Sequence, residues 1–554
     1  MKIYYSKKMV KEVLDDCILL LPDNYLKPSY NLWDDFGFKI TFKCFLFFKK
    51  EKYDLDFIKI LFKNIENSHK HIIDNFKKSE RDLYEIEEES EFISLGNESS
   101  YYKKIRSLLD DEDSIIDYLQ TIQDASYLSE SKKTYERWDG FANSFLRDSS
   151  SSAILKKGYQ IAIGSYSPTQ NFIMPVDGSP AVDFSFSLTS KTPGHTNVIV
   201  GNNGYGKSLL LRRIAEIYSG IEVNETKWPF FDKLLVVSFS PFESDFLTKK
   251  ELAEKLGQST TGKHKRTKFI NEYAYIGTKS DNESTPTSIE TVNIRSANAY
   301  LNAINFDRLN GWWIINPDKS SASPITTKKC MIEETLKKAM EFKSIAITLK
   351  SGELVYSDEL SKCISDDFDG FKKSVDFRKG LTFLDEKNDK ISLSSGQSIY
   401  SHIIPGIISE IKDESLILID EPELYLHPEL EIGLISMLKF ILKETTSFAI
   451  IATHSPITVR EFDRDYVHIF RSKENIVPSE IQTYGGSLEE ISDYVFNGVK
   501  TKKSFQEEVE KLVKKYEENP EEIENLPKIL GSKAIAHLYR IYEKDSDDNI
   551  TFED

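Results

Sequence analysis

Eight consecutive residues, Gly201-Asn202-Asn203-Gly204-Tyr205-Gly206-Lys207-Ser208, have the form G-x-x-x-x-G-K-S. Glycines let a backbone curl until successive amide N–H groups point inward, and a helix starting there adds partial positive charge. Such a loop suits a nucleoside triphosphate. Lys207 would reach the β- and γ-phosphates, and the Ser208 hydroxyl would ligate Mg²⁺. The flanks agree. Thr196 to Val200 is short, apolar and β-branched, as a buried parallel strand should be. Leu209 to Ile217 has helical spacing and no breaker. ATP with Mg²⁺ is the expected ligand.

A second set of groups lies some two hundred residues on. Leu416-Ile417-Leu418-Ile419 runs into Asp420-Glu421-Pro422. This predicts a buried strand with two acids at its carboxyl tip, the edge of a parallel sheet where ligands bind. Asp420 would hold Mg²⁺ through its water shell. Glu421, one residue further, points elsewhere and is placed to act as base or water-orienting group at the γ-phosphate. The strand Phe448 to Thr453 then delivers His454-Ser455-Pro456. A histidine at a strand tip is more often structural. Its place after the two-carboxylate strand favours a role in sensing the γ-phosphate.

The elements that hold these groups need more than one core, because 554 residues exceed the size at which a single core stops growing. A hydrophobic content of 40% supports a folded chain, and the formal net charge of −17 argues against coating nucleic acid by overall charge. Cys17, Cys44, Cys330 and Cys363 lie far apart without a C-x-x-C pair, which argues against zinc or disulfides and for reduced thiols. The apolar run Cys17 to Leu21 is too short for a signal peptide, and no stretch approaches the roughly 18 apolar residues of a membrane span. A cytoplasmic location without a membrane partner is expected.

Residues 1–152 read as an N-terminal α+β extension, a possible docking domain. It has a strand in Phe38 to Phe48, helices in Asp54 to Phe76 and Tyr101 to Leu128, and a linker at Ser149 to Ser152. Residues 153–242 hold the phosphate loop and a buried strand from Lys233 to Phe239, stopped by Ser240-Pro241. Residues 243–380 form a mostly helical insertion, with a helix at Met331 to Phe342. Residues 381–475 carry the second half of the site, and 476–554 a helical tail with helices at Phe505 to Tyr516 and Glu521 to Tyr542. The lysines between Lys43 and Lys78 and the cluster Lys263 to Lys268 could touch nucleic acid; solvated faces are the alternative. No sustained heptads support long coiled-coil arms.

The order phosphate loop, Leu393-Ser394-Ser395-Gly396-Gln397, Leu416 to Pro422, Leu426-His427-Pro428, Thr453-His454-Ser455-Pro456 resembles the ATP-binding-cassette head of SMC-type and OLD-type AAA-family ATPases. The resemblance implies an α/β fold: an ABC-type P-loop head with a parallel-sheet core. It also implies that two heads sandwich ATP, so that Ser394, Ser395, Gly396 and Gln397 act in trans on the nucleotide held by the other copy. Ser395 stands where the family has glycine, and Ser240-Pro241-Phe242 stands where it has a glutamine for Mg²⁺. OLD-type enzymes add a nuclease with D-x-D acids. Here Asp545-Ser546-Asp547-Asp548 lies in an acidic tail with no strand before it, and a solvated tail is expected.

A compact head without long arms or a nuclease of its own is similar to the PtuA ATPases of bacterial Septu anti-phage systems, including retron-associated ones. That resemblance implies ATP hydrolysis, a homodimer or higher homo-oligomer, and an HNH nuclease partner of the PtuB kind. In the retron version a reverse transcriptase and its RNA-linked DNA (msDNA) join. An SMC-like DNA repair clamp is the alternative, and a transporter ATPase a weaker third.

Overall fold

The computed structural model describes residues 1–547 apart from 11–15, 26–30, 33, 35–36, 80, 88, 110, 129–132, 147–148, 167–170, 177–178, 223–228, 230, 239–245, 260–271, 278, 280–288, 311–313, 316–324, 364–366, 425, 497–503 and 517–524. The chain forms two compact units, Met1–Ile491 and Ser492–Asp554.

The first unit opens with a six-stranded sheet: β1 (Lys2–Tyr5), β2 (Cys17–Pro22), β3 (Thr41–Phe48), β4 (Glu51–Phe62), β5 (Tyr84–Ile86) and β6 (Phe92–Gly96), in the order β5-β1-β2-β3-β4-β6. Helices Ser99–Leu108 and Ser149–Ile163 pack against its β4–β6 end. Two expectations are corrected here. Asp54 to Phe62 is strand, and only Ser68–Asn75 of the expected helix is helical. The cause is a bulge: Cys44 faces Asp56 while Phe45 faces Asp54, so Leu55 is an extra residue. The period-2 alternation therefore slips by one and no longer reads as a strand. Lys49 and Lys50, both at positive φ, make the two-residue turn that β3 and β4 require. The serine run is no linker. It opens the helix Ser149–Ile163, where Ser151 is buried and accepts from Lys59 Nζ at 2.9 Å. The break expected at residue 152 falls inside that helix.

A hairpin, β7 (Phe172–Val176) and β8 (Ser179–Phe184), leads to the central sheet. Its strands are β9 (Thr196–Gly201), β10 (Leu234–Ser238), β11 (Tyr273–Gly277), β17 (Leu416–Asp420), β18 (Phe448–Thr453), β19 (Val467–Ser472) and β20 (Asn475–Pro478). Their order is β11-β10-β17-β18-β9-β19-β20, and all neighbours are parallel except β19 and β20. Burial on both faces explains the unbroken apolar runs of β9, β10, β17 and β18. The fold is the α/β fold of an ABC-type P-loop ATPase.

Between β10 and β17 the described residues of the insertion are mostly helical, but strands also run through it. β11 joins the central sheet, Ile314–Ile315 and Ile325–Thr326 pair as β12 and β13, and β14 (Ser344–Thr348), β15 (Leu354–Tyr356) and β16 (Leu381–Leu384) form a small antiparallel sheet. The long helix Ile289–Asn310 packs on the helix Ser395–Glu410. The cluster Lys263 to Lys268 and Ser240 to Phe242 lie outside the described residues.

Because β20 pairs with β19, the head continues past the expected end at 475. In the second unit, helices Ser504–Tyr516 and Ser532–Asp547 pack around Val509, Val513, Leu526 and Leu538. The acidic run is not a free tail at its start, since the last helix extends to Asp547.

Candidate active site

Strand register sets the site. Ser238 pairs with Asp420, Asp420 with Ala452, and Thr453 with Val200. The carboxyl ends of β10, β17, β18 and β9 therefore lie level, and every group that leaves them faces one rim. Gly201 ends β9. The loop then turns through Gly204 (φ +78°) and Gly206 (φ +95°), conformations L side chains rarely adopt, and the helix Lys207–Tyr218 begins.

Lys207 is buried. Its Nζ donates to the carbonyls of Gly201 (3.0 Å) and Asn202 (3.1 Å) and lies 3.0 Å from His454 Nε2 and 3.3 Å from Nδ1. His454 Nε2 is 2.7 Å from Glu421 Oε1. One tautomer satisfies both contacts: Nε2–H donates to Glu421 and Nδ1 accepts from Lys207. Burial lowers the Lys207 pKa below its usual value, against the pull of Glu421, Asp420 and Glu423. The hydrogen bond from His454 holds the Glu421 carboxyl below its usual value, helped by the positive charge of Lys207. Glu421 is thus ionised, as a proton acceptor must be. It also sits at φ +46°, while its N–H continues the ladder to Ala452 O at 2.9 Å. A non-glycine residue held there is local strain at the reacting edge.

The Ser208 hydroxyl donates to Asp420 Oδ1 at 3.1 Å. A hydroxyl and a carboxylate converging beside a phosphate loop are hard oxygen donors that fit Mg²⁺, which completes its shell with water and phosphate oxygens. Asn203, Gly204, Tyr205, Lys207, Glu421 and His454 are among the residues lining one cavity of about 740 Å³.

Ser394, Ser395, Gly396 and Gln397, the signature residues expected to act in trans, are elsewhere. Ser394 caps the helix Ser395–Glu410 in a reciprocal box: its Oγ accepts from Gln397 N (3.3 Å), and Gln397 Oε1 accepts from Ser394 N (3.0 Å). Ser394 and Ser395 are exposed, and none of Ser394, Ser395, Gly396 and Gln397 lines the phosphate-loop cavity of the same chain. A Cβ at Gly396 would lie 2.3 Å from Leu430 Cδ1, so the end of that half-buried side chain would have to shift. His427 caps the next helix, Pro428–Glu444.

Sequence reasoning missed Glu423. Its Oε1 accepts from His454 N (2.6 Å) and Thr453 Oγ1 (2.8 Å), and burial raises its pKa. The signal was present in the run Asp420-Glu421-Pro422-Glu423, whose third acid follows a turn. Also missed were Lys473 and Glu474, which reach the cavity from the β19–β20 turn.

The strand order, the phosphate loop, the paired carboxylates and the strand-tip histidine together define an ABC-type P-loop ATPase domain. Residues 338–460 match the domain family described as "AAA domain, putative AbiEii toxin, Type IV TA system". Protein ea59 of Escherichia phage lambda is 26% identical over 488 residues, covering 84% of each chain. Among solved structures, CbiO1 of Clostridium perfringens, part of an ABC transporter complex, is 14% identical over 65% of this chain and 97% of that one, with a TM-score of 0.27. A dimeric bacterial ABC transporter cassette is 12% identical over 58% of this chain and 97% of that one, with a TM-score of 0.22. The fold class rests on this chain's own strand order and loop. Among the described residues, no helix is long and apolar enough to cross a membrane.

Proposed function

We propose that this chain binds and hydrolyses ATP as a head-to-head homodimer and controls a separate nuclease in anti-phage defence, in the manner of the Septu ATPases it resembles. One observation carries the dimer. Lys207, Glu421 and His454 converge within a single chain, whereas Ser394 to Gln397 lie outside that cavity, with Ser394 and Ser395 exposed. A second copy would supply them to the γ-phosphate. In the hydrolytic step Glu421 takes the proton of the attacking water as the bond to the γ-phosphorus forms and ADP leaves. Lys207 and the loop amides hold the phosphates. Ser208 and, through water, Asp420 would hold Mg²⁺, which would neutralise phosphate charge.

The defence setting draws support from two similarities: the family match whose description names a toxin system, and a relative carried by a phage. The effector in this reading is a separate HNH nuclease, with a reverse transcriptase and msDNA if a retron is attached.

The test is Glu421→Gln. Turnover should fall about 10²- to 10⁴-fold, and light scattering should show an ATP-dependent dimer that persists; Lys207→Ala should bind no ATP. Hydrolysis at the normal rate in Glu421→Gln removes the base assignment. Purification from the native operon without any nuclease, or an operon that encodes none, removes the effector part.

A further inference from the structure

The two halves of the site are joined by a residue that touches neither the phosphate loop nor its lysine. Glu423 stands three residues after Asp420, where the chain has turned back (Leu424 N to Glu421 O 3.1 Å, Leu426 N to Glu423 O 3.0 Å). Its Oε1 reaches across to the tip of β18. There it accepts the backbone N–H of His454 at 2.6 Å and the hydroxyl of Thr453 at 2.8 Å. Thr453 Oγ1 in turn accepts from Ser455 N at 2.9 Å, and Ser455 caps the helix Pro456–Arg460. One carboxylate oxygen thus fixes the backbone on which the His454 imidazole is carried. Without it, an amide and a hydroxyl at the end of a buried strand would lack their acceptor.

The consequence lies at the ring. His454 meets Glu421 through Nε2 at 2.7 Å and Lys207 through Nδ1 at 3.3 Å, so a small rotation of the strand tip would break one contact or the other. Glu421 and Glu423 are two residues apart on the same turn, so the base and the clamp move together. We propose that Glu423 is a positioning residue for ATP hydrolysis, which clamps the strand tip so that the His454 imidazole bridges Glu421 and Lys207. This rests on the ATPase reading above.

The clamp needs an acceptor, not a charge. Glu423→Gln keeps a carbonyl oxygen in the same place, and Glu423→Ala removes it. In steady-state assays Glu423→Ala should lose at least tenfold in kcat, while KM for ATP stays within about twofold; Glu423→Gln should stay near the parent. A second readout does not depend on turnover. In protein labelled at histidine ¹³Cε1, with the His454 resonance assigned by its loss in His454→Gln, that resonance should shift in Glu423→Ala and stay in Glu423→Gln.

An unmoved resonance in Glu423→Ala, or parental kcat in that variant, overturns the proposal. If the parent protein itself hydrolyses no ATP, the ATPase reading fails, and the resonance still decides the clamp. If Glu423→Ala does not fold, Thr453→Val deletes one of the two donors and should shift the same resonance by less; no shift there overturns the proposal.

Discussion

Replacing Lys157 by methionine would test how firmly the N-terminal sheet domain is fastened to the head. Lys157 lies on the helix Ser149–Ile163 and is buried; its Nζ is 2.8 Å from Glu414 Oε2 and 4.0 Å from Asp232 Oδ1. Glu414 is only 1% exposed and accepts one further bond, from the Tyr166 hydroxyl at 3.1 Å. Breaking a buried pair by removing one partner costs about 3–5 kcal/mol, because the remaining charge stays desolvated. Lys157→Met should lose that much at pH 8, measured as the change in urea-unfolding free energy followed by circular dichroism. Lys157→Met with Glu414→Gln should regain most of it, since a neutral amide keeps the Tyr166 bond.

The pH dependence has a definite sign. Burial raises the Asp232 carboxyl to about 7, and Lys157 opposes this. An acid whose folded pKa is raised binds more protons folded than unfolded, so its share of stability falls as pH climbs from about 4 to about 7. Lys157 has a raised pKa and is charged throughout that window, so its own contribution is lost only above its ordinary value of 10.5. Without Lys157 the acid's window deepens and extends upward. The variant's deficit should therefore be larger at pH 8 than at pH 5. A loss below about 1 kcal/mol at pH 8, or an equal loss at both values, would refute the reasoning.

Gly396→Ala should lower ATP turnover while leaving nucleotide affinity in place, at a stability cost of about 1–3 kcal/mol, because its methyl would press on Leu430 at the start of the signature helix; unchanged turnover would count against that tight fit. Mixing Lys207→Ala with Ser394→Arg, each inactive alone, should restore activity up to about a quarter of the parent's, since only mixed dimers hold one intact pocket; no recovery on mixing would mean that the signature does not act across a dimer. A chain cut before residue 153 should yield no stable nucleotide-binding fragment, because the cut falls inside the helix Ser149–Ile163; a monodisperse fragment that binds ATP as the full chain does would show the joint to be dispensable.

The head was legible in the sequence because its chemistry sits at strand ends. A buried parallel strand is a short apolar run, and the candidate residues stand where that run ends, as at Gly201, Asp420 and His454. The N-terminal domain was harder. One extra residue at Leu55 shifts the alternation of β4, and four serines conceal the first turn of a helix whose apolar face begins at Ile154. β11 was invisible within the insertion because its five residues gain their meaning only from pairing with β10. Glu423 escaped because its role depends on a backbone amide thirty-one residues away.

The joint and the site share a segment of chain. The signature helix ends at Glu410, and β17, which carries Asp420, starts at Leu416. Between them Lys412 pairs with Glu98 at 2.5 Å, Asp413 with Lys103 at 2.9 Å, and Glu414 with Lys157. Three successive side chains are thus tied to two helices of the N-terminal domain, Lys103 lying on Ser99–Leu108, Glu98 capping its start, and Lys157 lying on Ser149–Ile163. An exposed pair such as Lys412 and Glu98 contributes little, but Glu414 and Lys157 are buried, so their partners cannot be exchanged for water without cost. The loop is held at one end of β17 while Asp420 and Glu421 stand at the other. A rigid five-residue strand connects the two, and the signature helix leaves from the same loop. The N-terminal domain therefore belongs to the framework that sets the geometry of the ATP site.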